Sequence, residues 1–296
     1  MLNQKNEVKL CEKFFSVKKN SLFKKNDQFN LQLYFYKYHI IIAFTILLSS
    51  SFFIFDFIVA EAQPNSSSTI NSTQAETLYK TGSDLYDQQK YEEALQFFDK
   101  ALAINPSYVS ALNSKGLALD HLQRYDEALQ SFDKALELDP SSVNALNNKG
   151  LALDHLQRYD EALQSFDKAL ELNPSFVNAL NNKGLALDHL KRYDEALQAF
   201  DKALELDPSS VNALNNKGLA LDHLQRYDEA LQFFDKALAI NPSSVNALNN
   251  KAFTLDHLQR YDEAIQSFDK ALAVDPSNTK ALEGKDSILS KLKQEG

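Results

Sequence analysis

Five adjacent Asp–His pairs are the residues best able to do chemistry: Asp120–His121, Asp154–His155, Asp188–His189, Asp222–His223 and Asp256–His257, each 34 residues from the next. Imidazole and carboxylate are the groups that bind divalent metals or move protons. Neighbours on a helix point to different faces, unlike residues four apart. One pair therefore cannot converge on an ion, although each member could meet its counterpart in the next copy. The plainer reading is a solvated pair at a helix end, copied by duplication. No compact ligand motif surrounds the pairs, so no metal, cofactor or catalytic residue is expected. The second recurring set is amide: Asn144 and Asn147, Asn178 and Asn181, Asn212 and Asn215. A carboxamide both donates and accepts, which suits an extended peptide backbone.

What must position these residues is a repeat. Val143 opens the unit VNALNNKGLALDHLQRYDEALQSFDKALELNPSF, and Val177, Val211 and Val245 open the next copies. A fixed period of this length marks a solenoid, in which each unit stacks only on its neighbours. Such a chain builds a long curved surface rather than a pocket, so binding is expected before catalysis. Within the unit, Leu146, Gly150, Leu153 and Leu156 recur at helical spacing. Gln157 to Tyr159 breaks the pattern. Ala162, Leu163, Phe166, Ala169 and Leu170 form a second helical run, with Asp160 and Glu161 in the first turn, where the helix dipole favours negative charge. Asn173-Pro174-Ser175 closes the unit, because proline cannot continue a helix interior. The unit therefore reads as an antiparallel helical hairpin. Gly150 and Ala162 are small where its helices would cross.

This unit resembles the tetratricopeptide repeat. The family pattern places bulk at position 4, Gly at 8, a large residue at 11, Ala at 20, an aromatic at 24, Ala at 27 and Pro at 32. Here those are Leu146, Gly150, Leu153, Ala162, Phe166, Ala169 and Pro174. Six copies meet it in register, at 75–108, 109–142, 143–176, 177–210, 211–244 and 245–278, with one departure, Ala252 for Gly. The resemblance implies an all-α fold, a right-handed superhelical solenoid of six antiparallel helical hairpins plus a C-terminal capping helix over 279–296. In that cap Ala281, Leu282, Ile288, Leu289 and Leu292 share one face, expected to cover the last hairpin and leave a polar outer side. Thr73 and Glu76 form a capping box expected to open the first helix.

The resemblance also implies a concave groove in which positions 2, 5, 9, 12 and 13 hold the ligand. These are Asn144, Asn147, Leu151, Asp154 and His155; Asn178, Asn181, Leu185, Asp188 and His189; and Asn212, Asn215, Leu219, Asp222 and His223. The first copy has Tyr79 and Tyr86 at two of them. The asparagines at position 5 are expected to face solvent. Asn148 and its equivalents sit where a chaperone-binding carboxylate clamp has Asn. The basic residues of that clamp are absent, with Lys149 one place away, which argues against such a role.

Charge and composition bound the partners. Residues 75–278 carry 19 basic and 32 acidic side chains, a net of −13, so nucleic acid is not an expected partner. The single Cys, Cys11, excludes an intramolecular disulfide. Residues 1–39 are basic, and residues 40–60 read IIIAFTILLSSSFFIFDFIVA, 21 residues with one charge. That length crosses a bilayer, and lysines before it hold their side in the cytoplasm. Residues 40–62 are thus a transmembrane anchor or a signal peptide, with Ala60-Glu61-Ala62 as the cleavage pattern. Residues 63–74 read as a flexible Ser/Asn-rich tether with two glycosylation sequons, at Asn65 and Asn71. The repeats are expected outside the cytoplasm, anchored to the membrane or secreted. The expected function is a protein–protein interaction scaffold that binds a protein or extended peptide. The alternative is an accessory or regulatory subunit of an envelope enzyme such as a glycosyltransferase.

Overall fold

The computed structural model describes residues 66–295. Among them there are thirteen helices and no strand. They are α1 (Ser66–Asp87), α2 (Tyr91–Ile104), α3 (Val109–His121), α4 (Tyr125–Leu138), α5 (Val143–His155), α6 (Tyr159–Leu172), α7 (Val177–His189), α8 (Tyr193–Leu206), α9 (Val211–His223), α10 (Tyr227–Ile240), α11 (Val245–His257), α12 (Tyr261–Val274) and α13 (Thr279–Glu295). Each helix from α3 to α12 packs on the one before and the one after it. The result is the all-α solenoid of six hairpins closed by a C-terminal helix. First helices of successive hairpins also pack on one another, as α5 does on α7, while second helices make no comparable contact. The first helices therefore lie on the inner, concave side.

The hairpin is set by one ring. Phe98, Phe132, Phe166, Phe200, Phe234 and Phe268 are all fully buried. A Cβ added to Gly82 would lie 2.7 Å from the Phe98 ring, and one added to Gly218 would lie 2.6 Å from Phe234. The ring thus occupies the space a side chain would need, and the two helices meet through it. Fully buried alanines, Ala162 and Ala169 among them, carry the close approach along the second helix. In the sixth hairpin Ala252 stands where the others have Gly. Gly284, on α13, supplies the missing room instead, since a Cβ there would collide with Phe268.

The two kinds of turn have separate chemistries. Inside the hairpin, the Gln157 N–H donates to the Asp154 carbonyl at 2.8 Å and the Arg158 N–H to the Leu153 carbonyl at 2.8 Å. This is the Schellman pattern of hydrogen bonds. Its left-handed residue is not glycine: Gln157 has φ 59°, and Gln89, Gln123, Lys191, Gln225 and Gln259 are alike. Between hairpins, the side chain of Asn173 accepts from the Ser175 N–H at 3.1 Å and its hydroxyl at 2.8 Å, an Asx turn around Pro174.

Three expectations are corrected at the ends. Residues 66–74, read as a tether, belong to α1. Thr73 accordingly opens no helix; its carbonyl accepts from the Thr77 hydroxyl at 2.9 Å inside α1. A formed helix extends at little cost into neighbouring residues. At the other end Ala281 and Ile288 are buried, but Leu282, Leu289 and Leu292 are 44%, 37% and 37% exposed. They occupy positions 4, 11 and 14, which in complete units face the hairpin's own second helix, and α13 has none among the described residues. No described helix is long and apolar enough to cross a membrane. Residues 40–60 lie outside the described residues.

Replacing Phe200 with Ala is expected to cost about 3–5 kcal/mol, and Gly184→Ala about 1–3 kcal/mol through overpacking. Both are read from chemical denaturation. A loss below about 0.5 kcal/mol for Phe200→Ala would place that ring on the surface.

Candidate ligand-binding groove

The concave face is built on rows of side chains bonded across hairpin boundaries. The amide row is continuous. The Asn250 Nδ2 donates to Asn215 Oδ1 at 2.9 Å, and the Asn215 Nδ2 donates to Asn216 Oδ1 at 3.1 Å. Asn216 donates to Asn181 at 3.1 Å, Asn181 to Asn182 at 3.3 Å and Asn182 to Asn147 at 3.0 Å. Asn147 donates to Asn148 at 3.2 Å, and Asn148 to Asn113 at 3.1 Å. Across each hairpin boundary the asparagine at position 6 donates to position 5 of the preceding hairpin, and within the third, fourth and fifth hairpins position 5 donates to its neighbour at position 6. At the C-terminal end Asn249 donates instead to Asn278 at 2.9 Å, and Asn278 also caps α13 by accepting from the Ala281 N–H at 2.9 Å. Gly284 falls where the next donor would stand, and Asn249 Oδ1 is left buried without a partner.

This geometry corrects the expectation for position 5. Asn147 and Asn215 are buried and Asn181 is half-buried. Their amides are consumed in the row because each meets the asparagine at position 6 of the next hairpin. They hold first helices in register rather than facing a ligand. Asn148, Asn182, Asn216 and Asn250 were missed as their partners. The doubled Asn-Asn in each copy was the available signal.

The Asp–His pairs do meet across copies. The His155 Nδ1 lies 3.1 Å from Asp120, His189 3.2 Å from Asp154, His223 3.0 Å from Asp188 and His257 3.3 Å from Asp222. On its other side each ring rests on a tyrosine: Tyr125 at 4.8 Å from His155, Tyr159 at 4.9 Å from His189 and Tyr193 at 5.0 Å from His223. The carboxylates of Asp154, Asp188 and Asp222 are buried, while the imidazoles keep an exposed edge in the groove. Lys291 on α13 takes the place of the next His, bonding both oxygens of Asp256 at 2.8 Å. The hydrogen bond that each imidazole donates to its aspartate raises His155, His189 and His223 above the ordinary imidazole value, against the opposing effect of burial. No three His, Cys, Asp or Glu among the described residues are grouped to hold a metal.

What remains open to a ligand is a narrower set. Asn144, Asn178 and Asn212 at position 2 are exposed, and Leu151, Leu185 and Leu219 are half-buried. Leu117 and the 36%-exposed Phe253 extend that apolar strip to five hairpins. The first hairpin differs. Tyr79 packs 5.0 Å from Tyr108, and Tyr86 lies 5.3 Å from Tyr91, whose ring stacks on His121 at 4.5 Å. Burial raises the Tyr86 and Tyr108 hydroxyls, with nearby acidic and tyrosyl groups adding to it.

Models of the tetratricopeptide repeat match residues 79–143, 122–175, 147–211 and 192–245, and a second model of the same repeat matches 245–278. The chain belongs to the tetratricopeptide repeat family. No curated protein matches it in sequence. Among solved structures, a chain of the APC/C hetero-tetramer Cut9–Hcn1 is similar, with 19% identity and a TM-score of 0.67 over 76% of this chain and 46% of that one. The present chain thus spans less than half of that relative. A tetratricopeptide repeat protein from Parabacteroides merdae has 22% identity and a TM-score of 0.63, covering 75% of this chain and 89% of its own. PilF of Pseudomonas aeruginosa has 21% identity and a TM-score of 0.61, covering 73% and 99%. At these identities the likeness is one of fold; it is membership of the tetratricopeptide repeat family that supports a protein-interaction scaffold.

Two outcomes are expected. Asn181→Ala strands the Asn216 donor and should cost about 1–3 kcal/mol, measured by denaturation; a cost near zero would break the amide row. Histidines raised in the folded state stabilise it fully below about pH 6.5, their unfolded value. That contribution is lost as pH rises through the higher folded values. Stability should therefore fall as pH is raised from about 6 to 8, and replacing His155, His189 and His223 with Gln should flatten the dependence.

Proposed function

We propose that this scaffold is displayed outside the cytoplasm and holds an extended peptide or protein segment along its concave groove. The observation that carries the reading is the strip of Leu117, Leu151, Leu185, Leu219 and Phe253, half-open to solvent beside the exposed amides of Asn144, Asn178 and Asn212. The leucines suit apolar side chains of a ligand, and the amides suit its backbone. The amide and Asp–His rows beneath them support the reading, because contacts already satisfied within the protein fix subsite spacing before a ligand arrives. Affinity should be modest per hairpin and grow with the number engaged.

The location rests on the sequence: eight lysines before Ile40, the apolar run 40–60 and the sequons after it. An uncleaved run would anchor the chain to the membrane.

Replacing Leu151, Leu185 and Leu219 together with Ser should weaken capture of partners from solubilised membranes at least tenfold, about 1.4 kcal/mol. Replacing the exposed Gln164, Gln198 and Gln232 of the second helices should leave capture unchanged. Capture lost only in the glutamine set would move the site off the groove. Protease added to intact cells, or to protoplasts where a wall blocks access, should digest the repeats. Full protection that ends on lysis would place them in the cytoplasm.

A further inference from the structure

We propose that the outer face of α13 joins two copies of this chain tail to tail. In complete hairpins, position 4 and position 11 leucines are shut away: Leu146 is 6% exposed and Leu153 2%. The equivalent residues of α13, Leu282 and Leu289, are 44% and 37% exposed, and Leu292 beside them 37%. Among the described residues no second helix covers this face of α13, whereas α3, α5, α7, α9 and α11 bury it.

The opposite end of the solenoid is closed by its residue types. Positions 3 and 10, where later first helices pack on the preceding hairpin, are the fully buried Ala145 and Ala152 in the third unit. In α1 they are Thr77 and Asp84, both exposed, with exposed Lys80 between them. Head-to-tail stacking would press leucines onto those polar groups. A two-fold axis places the same leucines against each other, the self-complementary arrangement of an isologous dimer.

Charge favours the same contact. Residues 75–278 carry −13, so side-by-side association of two copies meets like charge, whereas residues 279–296 carry four lysines and three acids. Lys285 is paired with Asp269 and Lys291 with Asp256. Asp286 and Lys293 remain exposed, seven residues apart and flanking Leu289 on one face of the helix. An antiparallel crossing near Leu289 brings Asp286 of each copy opposite Lys293 of the other.

The test is sedimentation equilibrium of the full chain in a nonionic detergent, with helicity followed by circular dichroism. The intact chain should sediment as a dimer that dissociates on dilution. Leu282→Lys with Leu289→Lys should give a monomer of unchanged helicity. Asp286→Lys should weaken the dimer at least tenfold, and Asp286→Lys with Lys293→Asp should restore it. A wild-type chain that is monomeric at about 100 µM, or a dimer that survives the double leucine substitution, overturns the proposal. If the leucine variant loses helicity, the charge pair decides: a dimer indifferent to Asp286→Lys also overturns it.

Discussion

The close approach of a phenylalanine ring to a backbone without a side chain fixes everything else in this molecule. Where Phe166 lies on Gly150 the two helices of a hairpin reach a single separation and crossing. Because the contact recurs in five hairpins, the first helices stand at one constant spacing. Only at that spacing can an asparagine amide reach its counterpart 35 residues on, at 2.9–3.1 Å. The same spacing sets the imidazole of one unit against the carboxylate of another. The sixth hairpin confirms the rule by its exception: with Ala252 in place of glycine, the ring of Phe268 is accommodated by Gly284 of the terminal helix.

The polar rows on the inner side depend on that spacing and in turn defend it. A buried carboxamide without partners is costly, so a hairpin displaced along the axis would lose several hydrogen bonds together. The apolar core alone is more forgiving, since leucines tolerate small slides. Thr254 adds to the effect near the end, donating to the Asp222 carboxylate at 2.7 Å beside His257. Surface ion pairs such as Arg158–Glu161, at 2.7 Å, recur just as regularly but are exposed and add little.

Much of this was legible in the residues. The period, the hairpin, its turns and the small positions follow from helical spacing and proline placement, because those features are local. Meetings between units are not local. The asparagines at position 5 looked solvent-facing because a polar residue on a helix gives no sign of an amide partner in the next unit. Asp154 and His155 were correctly separated from one another, and their true partners, His189 and Asp120, follow only from the stacking. The helix ends misled for another reason. Thr73 and Glu76 satisfy the spacing of a capping box, yet α1 runs on to Ser66. In α13 the apolar spacing describes one face, although three of its five residues, Leu282, Leu289 and Leu292, need a second helix to cover them.

The near-identity of the units has a further consequence for the length of the array. The bond from Asn182 to Asn147 and that from Asn216 to Asn181 join the same atoms in the same way. Excising residues 177–210 would bring Asn216 to Asn147 and His223 to Asp154, so that the amide and Asp–His rows re-form across the junction. A whole unit can therefore be lost or gained without creating a foreign boundary. Such a molecule is a ruler whose length is free to drift over generations, while the graduations along its inner edge stay the same.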